Sequence, residues 1–138
     1  MASMERYGDT FFRQGQIRLA ELSVYNWGSF EGLHTARIDP EGTLITGDNG
    51  SGKSTFVDGL MALLLPAGRA TFNVAAAQGD RTDRSLLSYM RGSFGAAHEG
   101  SGTRVKSKRE KAVVTGLRAL YRADDDSVIT LAALFWTT

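Results

Sequence analysis

The residues best suited to chemistry stand in a glycine-rich loop at positions 47–54, which reads Gly-Asp-Asn-Gly-Ser-Gly-Lys-Ser. This is the pattern of a phosphate-binding P-loop, in which glycines let the backbone approach phosphate closely. The backbone N–H groups from Asn49 to Thr55 are expected to point inward and bind an anion. The predicted nucleotide-binding residues of the loop are Asp48, Asn49, Gly50, Ser51, Gly52, Lys53, Ser54 and Thr55.

Three side chains of this loop have predicted roles of their own. Lys53 is predicted to be the catalytic residue, because a P-loop lysine reaches the β- and γ-phosphates. The Ser54 hydroxyl is predicted to ligate Mg²⁺, and Thr55 to donate to the α-phosphate. The loop therefore predicts a site for ATP or GTP together with Mg²⁺.

The segments on either side of the loop fit the strand and helix that a P-loop requires. Residues 42–46 form a short β-type run, and residues 55–65 have a helical pattern of apolar positions. Pro66 cannot continue that helix, so it is predicted to end at Leu65. The N-terminal end of the helix then presents its positive dipole to the phosphates.

The rest of the chain predicts antiparallel strands and loops rather than a simple βαβ alternation. A strand at 17–25 and a weaker one at 30–38 flank a turn at Asn26–Ser29. Two further strands, at 113–122 and 128–136, are predicted to form a hairpin across the turn at Asp124–Ser127.

The segments between these elements are predicted to be less regular. Residues 85–90 suggest a short helix that Ser85 caps, and residues 69–84 suggest a loop. Residues 93–110, rich in Gly, Ser and charge, suggest a mobile loop. We expect residues 1–15 to be a flexible tail and residues 16–138 to form the folded unit.

Composition limits the class of protein. The chain has no cysteine, so disulfides and cysteine metal sites are excluded. Its apolar runs are too short for a membrane span, and its N-terminus lacks the apolar core of a signal peptide. A cytoplasmic protein without a membrane partner is therefore expected.

Two stretches together, Leu22–Phe30 and Leu44–Thr55, resemble the start of an SMC-family or RecF-type ATPase head. The nearest resemblance is to the MukB/MksB branch, which includes the JetC ATPase of Wadjet plasmid-defence systems. It is carried by Tyr25–Phe30, Ala62–Pro66 and Phe72–Gln78, and it extends over residues 16–138. The fold that it implies is an α/β P-loop NTPase, the N-lobe of an ABC-type ATPase head with flanking antiparallel strands.

The resemblance also implies partners and a cellular role. Such proteins divide the head between the two ends of a long chain, and a coiled coil separates the parts. The C-terminal lobe of the same head supplies the Walker B and signature motifs, and two heads sandwich ATP and Mg²⁺. Kleisin-like and accessory subunits and double-stranded DNA are the other implied partners, in the bacterial cytoplasm. The alternatives are a RecF-type or double-strand-break repair ATPase and a non-catalytic lobe that only binds its partner.

Motifs needed for hydrolysis are absent from this sequence. No apolar run ends in Asp-Glu, and no Leu-Ser-Gly-Gly signature occurs. Asp124–Asp126 is interpreted as a solvated turn, and Gln78 as a surface residue rather than a magnesium ligand. Without a carboxylate to position water, we expect this chain alone to hydrolyse ATP negligibly.

Several other residues have open assignments. Asn26 is a candidate nucleotide contact, whereas Trp27 is either near the base or a buried aromatic anchor. Arg81, Arg84 and Arg91 are candidates for contact with ATP, the opposing head or DNA. A basic stretch is either a DNA surface or a solvated linker. Its candidate DNA contacts are Arg104, Lys106, Lys108, Arg109 and Lys111.

Overall fold

The computed structural model describes residues 15–66, 85–99 and 102–138, with the backbone alone at 94–99 and 102–105. The chain order of its elements is two strands, two helices and four strands. These are β1 (Ile17–Trp27), β2 (Phe30–Arg37), α1 (Lys53–Leu64), α2 (Leu86–Arg91), β3 (Ser93–Glu99), β4 (Gly102–Ser107), β5 (Val114–Ala123) and β6 (Val128–Trp136).

Four of the strands form one antiparallel sheet in the order β2-β1-β5-β6. The predicted hairpin of β5 and β6 is confirmed, and the two strands predicted on either side of the turn at 26–29 also pair with each other. A two-residue turn joins β1 to β2, and its first residue, Gly28, has the positive φ that tight hairpin turns favour. The β5–β6 turn includes Asp126 at φ 63°, and Asp125 accepts a hydrogen bond from the Ser127 N–H at 3.0 Å.

Helix α1 packs on one face of this sheet and forms the core with it. Phe56 is buried against a cluster from β1 and β5 that includes Val24 and Leu117. The helix lies close to the sheet because Gly59 has no side chain: a Cβ there would lie 3.1 Å from Val24 Cγ1. The predicted helix end is confirmed within one residue, since Leu65 is the C-cap.

The short helix α2 confirms the prediction from the sequence. Ser85 is the N-cap, and its hydroxyl accepts a hydrogen bond from the Ser88 N–H at 3.2 Å. Gly92 ends the helix in the left-handed conformation, with φ 61°. Both ends of α2 therefore carry residue types that commonly cap helices, a serine at the N-terminus and a glycine at the C-terminus.

The prediction of a loop over residues 93–110 was wrong. Strands β3 and β4 form an antiparallel hairpin in this region, with Ala97 opposite Arg104 and His98 opposite Thr103. Some of the small residues that suggested a loop stand at strand ends, since Ser93 begins β3 and Ser107 ends β4, whereas Gly95 lies inside β3. Backbone pairing outweighs weak strand propensity here.

The predicted strand over residues 42–46 is also not observed. Residues 42–48 are irregular, and Leu44 is 86% exposed. A strand requires a neighbouring strand, and no described strand pairs with this segment. The predictions for residues 1–14 and 69–84 lie outside the described residues. In the described part of the chain, no helix is long and apolar enough to cross a bilayer.

Candidate nucleotide-binding site

The glycine-rich loop has the backbone conformation that its sequence predicts. Gly47, Gly50 and Gly52 all have positive φ, at 152°, 83° and 98°. Gly52 is also the N-cap of α1, and a Cβ there would lie only 2.9 Å from Ser29 Oγ. A side chain at this position would push the loop away from the β1–β2 turn.

The reactive side chains of the motif stand on the first turn of α1. Lys53 begins the helix, and its ammonium donates to the carbonyl oxygens of Gly47 and Asp48, at 2.6 and 2.8 Å. The amine therefore lies across the loop, within reach of a phosphate group held there. The first N–H groups of a helix have no partner within the helix and can donate to such an anion.

A cavity of about 430 Å³ opens over this helix end. Its size is within the range of small-molecule pockets. Six predicted binding residues line the cavity, whereas Asp48 and Ser51 contribute to the loop through a backbone hydrogen bond between them at 3.1 Å. The six are Asn49, Gly50, Gly52, Lys53, Ser54 and Thr55.

The rest of the cavity lining comes from three other parts of the chain, which we call the facing wall. The facing wall consists of Gly28, Ser29, Ser88, Tyr89 and Ser93. The sequence indicated the turn at 26–29 and the short helix at 85–90, but not that this helix would lie at the site. Tyr89 of α2 and its hydrogen-bond partner Asp58 of α1 are 31 residues apart in the chain. Only the tertiary fold brings Ser88 and Tyr89 to the phosphate loop.

An aromatic pair joins the facing wall to the loop helix. The rings of Trp27 and Tyr89 stack with centroids 4.6 Å apart. The Trp27 indole N–H donates to the Thr55 carbonyl at 2.7 Å, and the Tyr89 hydroxyl donates to the buried Asp58 carboxylate at 2.5 Å. Trp27 is fully buried, so of its two possible roles the structure gives it that of an anchor.

The structure places Asn26 away from the phosphate loop. Its side-chain amide donates to the Val114 carbonyl at 3.2 Å and accepts from the Gly32 N–H at 3.0 Å. It lines a separate groove beside residues 107–114. Its position does not support the prediction that it contacts nucleotide, because one end of the amide bonds within the β1–β2 hairpin and the other bonds to the start of β5.

The predicted DNA contacts have different surroundings. Lys106 and Lys111 are exposed on the surface. The Lys108 ammonium donates to the Ser29 carbonyl at 3.0 Å. The side chain of Arg104 lies outside the described residues.

Arg109 has its hydrogen bonds to backbone carbonyls of the protein. Its guanidinium donates to the carbonyls of Met90 and Gly28, both at 2.8 Å. Burial lowers the pKa of Arg109 and Glu31 opposes that effect, but an arginine remains charged. The structure does not support the predicted DNA contact, since this partly buried guanidinium donates to backbone carbonyls.

The acidic turn at Asp124–Asp126 is solvated, as predicted. Hydrogen bonds from Ser127 hold the pKa of Asp125 below its usual range. Arg91 is in the last turn of α2, whereas Gln78, Arg81 and Arg84 lie outside the described residues. Among the residues described, no group of three His, Cys, Asp or Glu side chains could hold a metal ion.

Comparison with known proteins supports the assignment of the loop. Residues 19–79 match a family model described as the P-loop containing region of an AAA domain. The match extends from β1 through the loop and α1. No curated protein matches the chain. The chain therefore contains a P-loop domain of the ATPase type, with the features expected for nucleotide binding.

Proposed function

We propose that this chain is the ATP-binding N-lobe of an SMC-like ATPase head of the MukB, MksB or JetC type. The observation that carries the proposal is a complete phosphate loop beside apolar surfaces over which the described residues place no second layer. Two surfaces support this reading, and each adjoins the loop.

The first surface is the outer face of α1. One face of the helix packs on the sheet, yet Val57 and Leu64 are 45% and 50% exposed, with the half-buried Met61 between them. These positions follow the i, i+4, i+7 spacing of a single helix face. A helix with apolar residues on two faces is expected to pack between two layers of secondary structure. The described residues supply one of these layers, which is the sheet.

The second surface is the irregular segment before the loop. Leu44 and Ile45 are 86% and 41% exposed, although the residue types are those of a buried strand. In a strand–P-loop–helix unit this segment runs beside other strands of a sheet. A C-terminal lobe with apolar strands would pair with residues 43–46 and cover the outer face of α1.

The residues present fit a magnesium–triphosphate complex. The Ser54 hydroxyl lines the cavity beside Lys53, and Mg²⁺ needs few protein ligands because phosphates and water complete its shell. The bound ion would neutralise charge on the β- and γ-phosphates. Lys53 and the N–H groups at the start of α1 would hold the phosphates in place.

Hydrolysis requires more than this lobe contains. No carboxylate lines the cavity among the described residues. A positioned carboxylate or equivalent group is needed to orient the attacking water and complete the magnesium shell. In the proposed head, the C-terminal lobe supplies it and the signature motif comes from a second head. ATP-driven head dimerisation would then act on DNA, through loading, loop extrusion or plasmid restriction.

The proposal is tested by measuring ATP turnover with the chain alone and with a C-terminal head lobe added. We expect negligible turnover by the chain alone and turnover with both lobes. Lys53→Ala in this chain should abolish the combined activity, because it removes the phosphate-binding ammonium. Robust turnover by the chain alone would overturn the division of the site between two lobes.

A further inference from the structure

We propose that Arg109 is a positioning residue for the nucleotide pocket. It holds the facing wall in the conformation that receives the nucleoside part of the nucleotide. The inference rests on the proposed nucleotide binding and adds a residue that no phosphate-loop motif contains.

The guanidinium of Arg109 connects two separate parts of the facing wall. One of its terminal nitrogens donates to Gly28, in the β1–β2 turn, at 2.8 Å and to Tyr89, in α2, at 3.3 Å. Its Nε donates to the Met90 carbonyl at 2.8 Å. A planar guanidinium with several fixed donors can serve carbonyls in different directions at once.

Neighbouring hydrogen bonds reinforce this connection. The Gly28 N–H donates to the Tyr89 carbonyl at 2.7 Å, which joins the same two parts directly. The Arg109 N–H donates to the Arg91 carbonyl at 3.0 Å, and the Lys108 ammonium donates to Ser29 at 3.0 Å. The wall is therefore fixed by the two residues that follow β4.

The phosphate loop is fixed by different contacts. Lys53 donates within its own loop, and the loop shape depends on its glycines. Arg109 makes none of these contacts, and none of its carbonyl partners accepts a hydrogen bond from the Lys53 ammonium. Loss of the guanidinium should therefore weaken binding of the nucleoside much more than binding of the phosphates.

This difference can be measured with two ligands. Calorimetry would compare magnesium-ATP with magnesium tripolyphosphate, which has phosphates but no nucleoside. Arg109→Lys keeps the charge, yet a single ammonium cannot span the carbonyls. We expect it to lower ATP affinity about tenfold, because charge-assisted hydrogen bonds are lost. Affinity for tripolyphosphate should remain within about twofold of the wild type, because the loop is unchanged.

Two controls separate positioning from general stability. Lys111→Ala removes an exposed charge two residues away and should leave both affinities unchanged. Circular dichroism below the unfolding transition checks that each variant is folded. An equal loss for both ligands in folded Arg109→Lys, or no loss for ATP, would overturn the positioning role.

Failure of the nucleotide site itself would give a different result. In that case the wild type would bind neither ligand, or Lys53→Ala would bind both as tightly as the wild type. Either result overturns the proposed binding site and the role of Arg109 with it. ATP-selective loss in Arg109→Lys, with loss of both ligands in Lys53→Ala, supports both.

Discussion

Lys53 has its position because residues outside the motif hold its helix. Trp27 donates to the Thr55 carbonyl, and Tyr89 donates to Asp58 one turn further along α1. The motif identifies Lys53 and Ser54 from sequence, since their roles follow from local spacing. Asp58 and Tyr89 are not identifiable in that way, because their contact is between residues far apart in the chain.

Gly28 connects the hairpin turn to the loop helix. A Cβ at this position would lie 2.3 Å from Thr55 Cγ2, and the residue has φ 54°. We expect Gly28→Ala to lower the free energy of unfolding by about 1–3 kcal/mol through this clash. The positive φ should cost about 1 kcal/mol in addition. Denaturant unfolding measures the total loss in the free energy of unfolding from both effects.

Gly32→Ala is the matched control for that substitution. Gly32 also has positive φ, at 72°, but nothing lies within 4 Å of its Cβ position. It should therefore show the backbone cost of about 1 kcal/mol alone. Equal destabilisation by the two variants would mean that the contact between the turn and Thr55 is not a close one.

The hydrogen bond from Tyr89 to Asp58 gives a second prediction. Tyr89→Phe keeps the ring stacked on Trp27 but leaves a buried carboxylate without this donor. We expect a loss of about 1–3 kcal/mol in the free energy of unfolding, which is the cost of an unsatisfied buried polar group. Tyr25→Phe is the control, because Tyr25 is 41% exposed. No difference between the two variants would contradict the role given to this bond.

At the scale of elements, the sheet follows its sequence closely and the loop regions do not. Strands β5 and β6 could be predicted because apolar runs flank a short acidic turn. The β3–β4 hairpin was missed because its sequence has a weak strand pattern and several small residues. The segment at 43–46 was predicted as a strand from residue type, yet pairing depends on a neighbour that the described chain does not provide.

The exposed segment before the loop and the outer face of α1 give a third prediction. Leu44→Asp combined with Val57→Asp should change the stability of the isolated chain by about 0.5 kcal/mol or less, because both sites are exposed here. The same double variant should prevent assembly with the C-terminal lobe, since it places charges in the proposed interface. Size-exclusion chromatography of the mixed lobes measures assembly.

A control variant for assembly should carry the same change at another exposed apolar site. Val128→Asp serves this purpose, because Val128 is 47% exposed at the start of β6. We expect it to assemble with the C-terminal lobe as the wild type does. Assembly of the Leu44 and Val57 double variant with undiminished affinity would exclude this surface as the interface between the lobes.

At the scale of the whole molecule, the described residues place a four-stranded sheet, two helices and a two-stranded hairpin around the phosphate loop. The antiparallel sheet contributes the β1–β2 turn to the facing wall, and one of its faces packs against α1. We propose that the loop, the helix and the wall bind a nucleotide, and that hydrolysis needs groups from the C-terminal lobe. In this proposal binding belongs to this chain and turnover belongs to the assembled head.

The most direct test of this account is calorimetry of magnesium-dependent ATP binding to the chain, with Lys53→Ala as the control. We predict binding by the wild type that requires Mg²⁺, is lost in Lys53→Ala, and tightens when the C-terminal lobe is added. The control variant should remain folded, because the hydrogen bonds of Lys53 to described residues all lie within its own loop. Wild-type binding that is unaffected by Lys53→Ala would contradict the central claim that this loop is the nucleotide site.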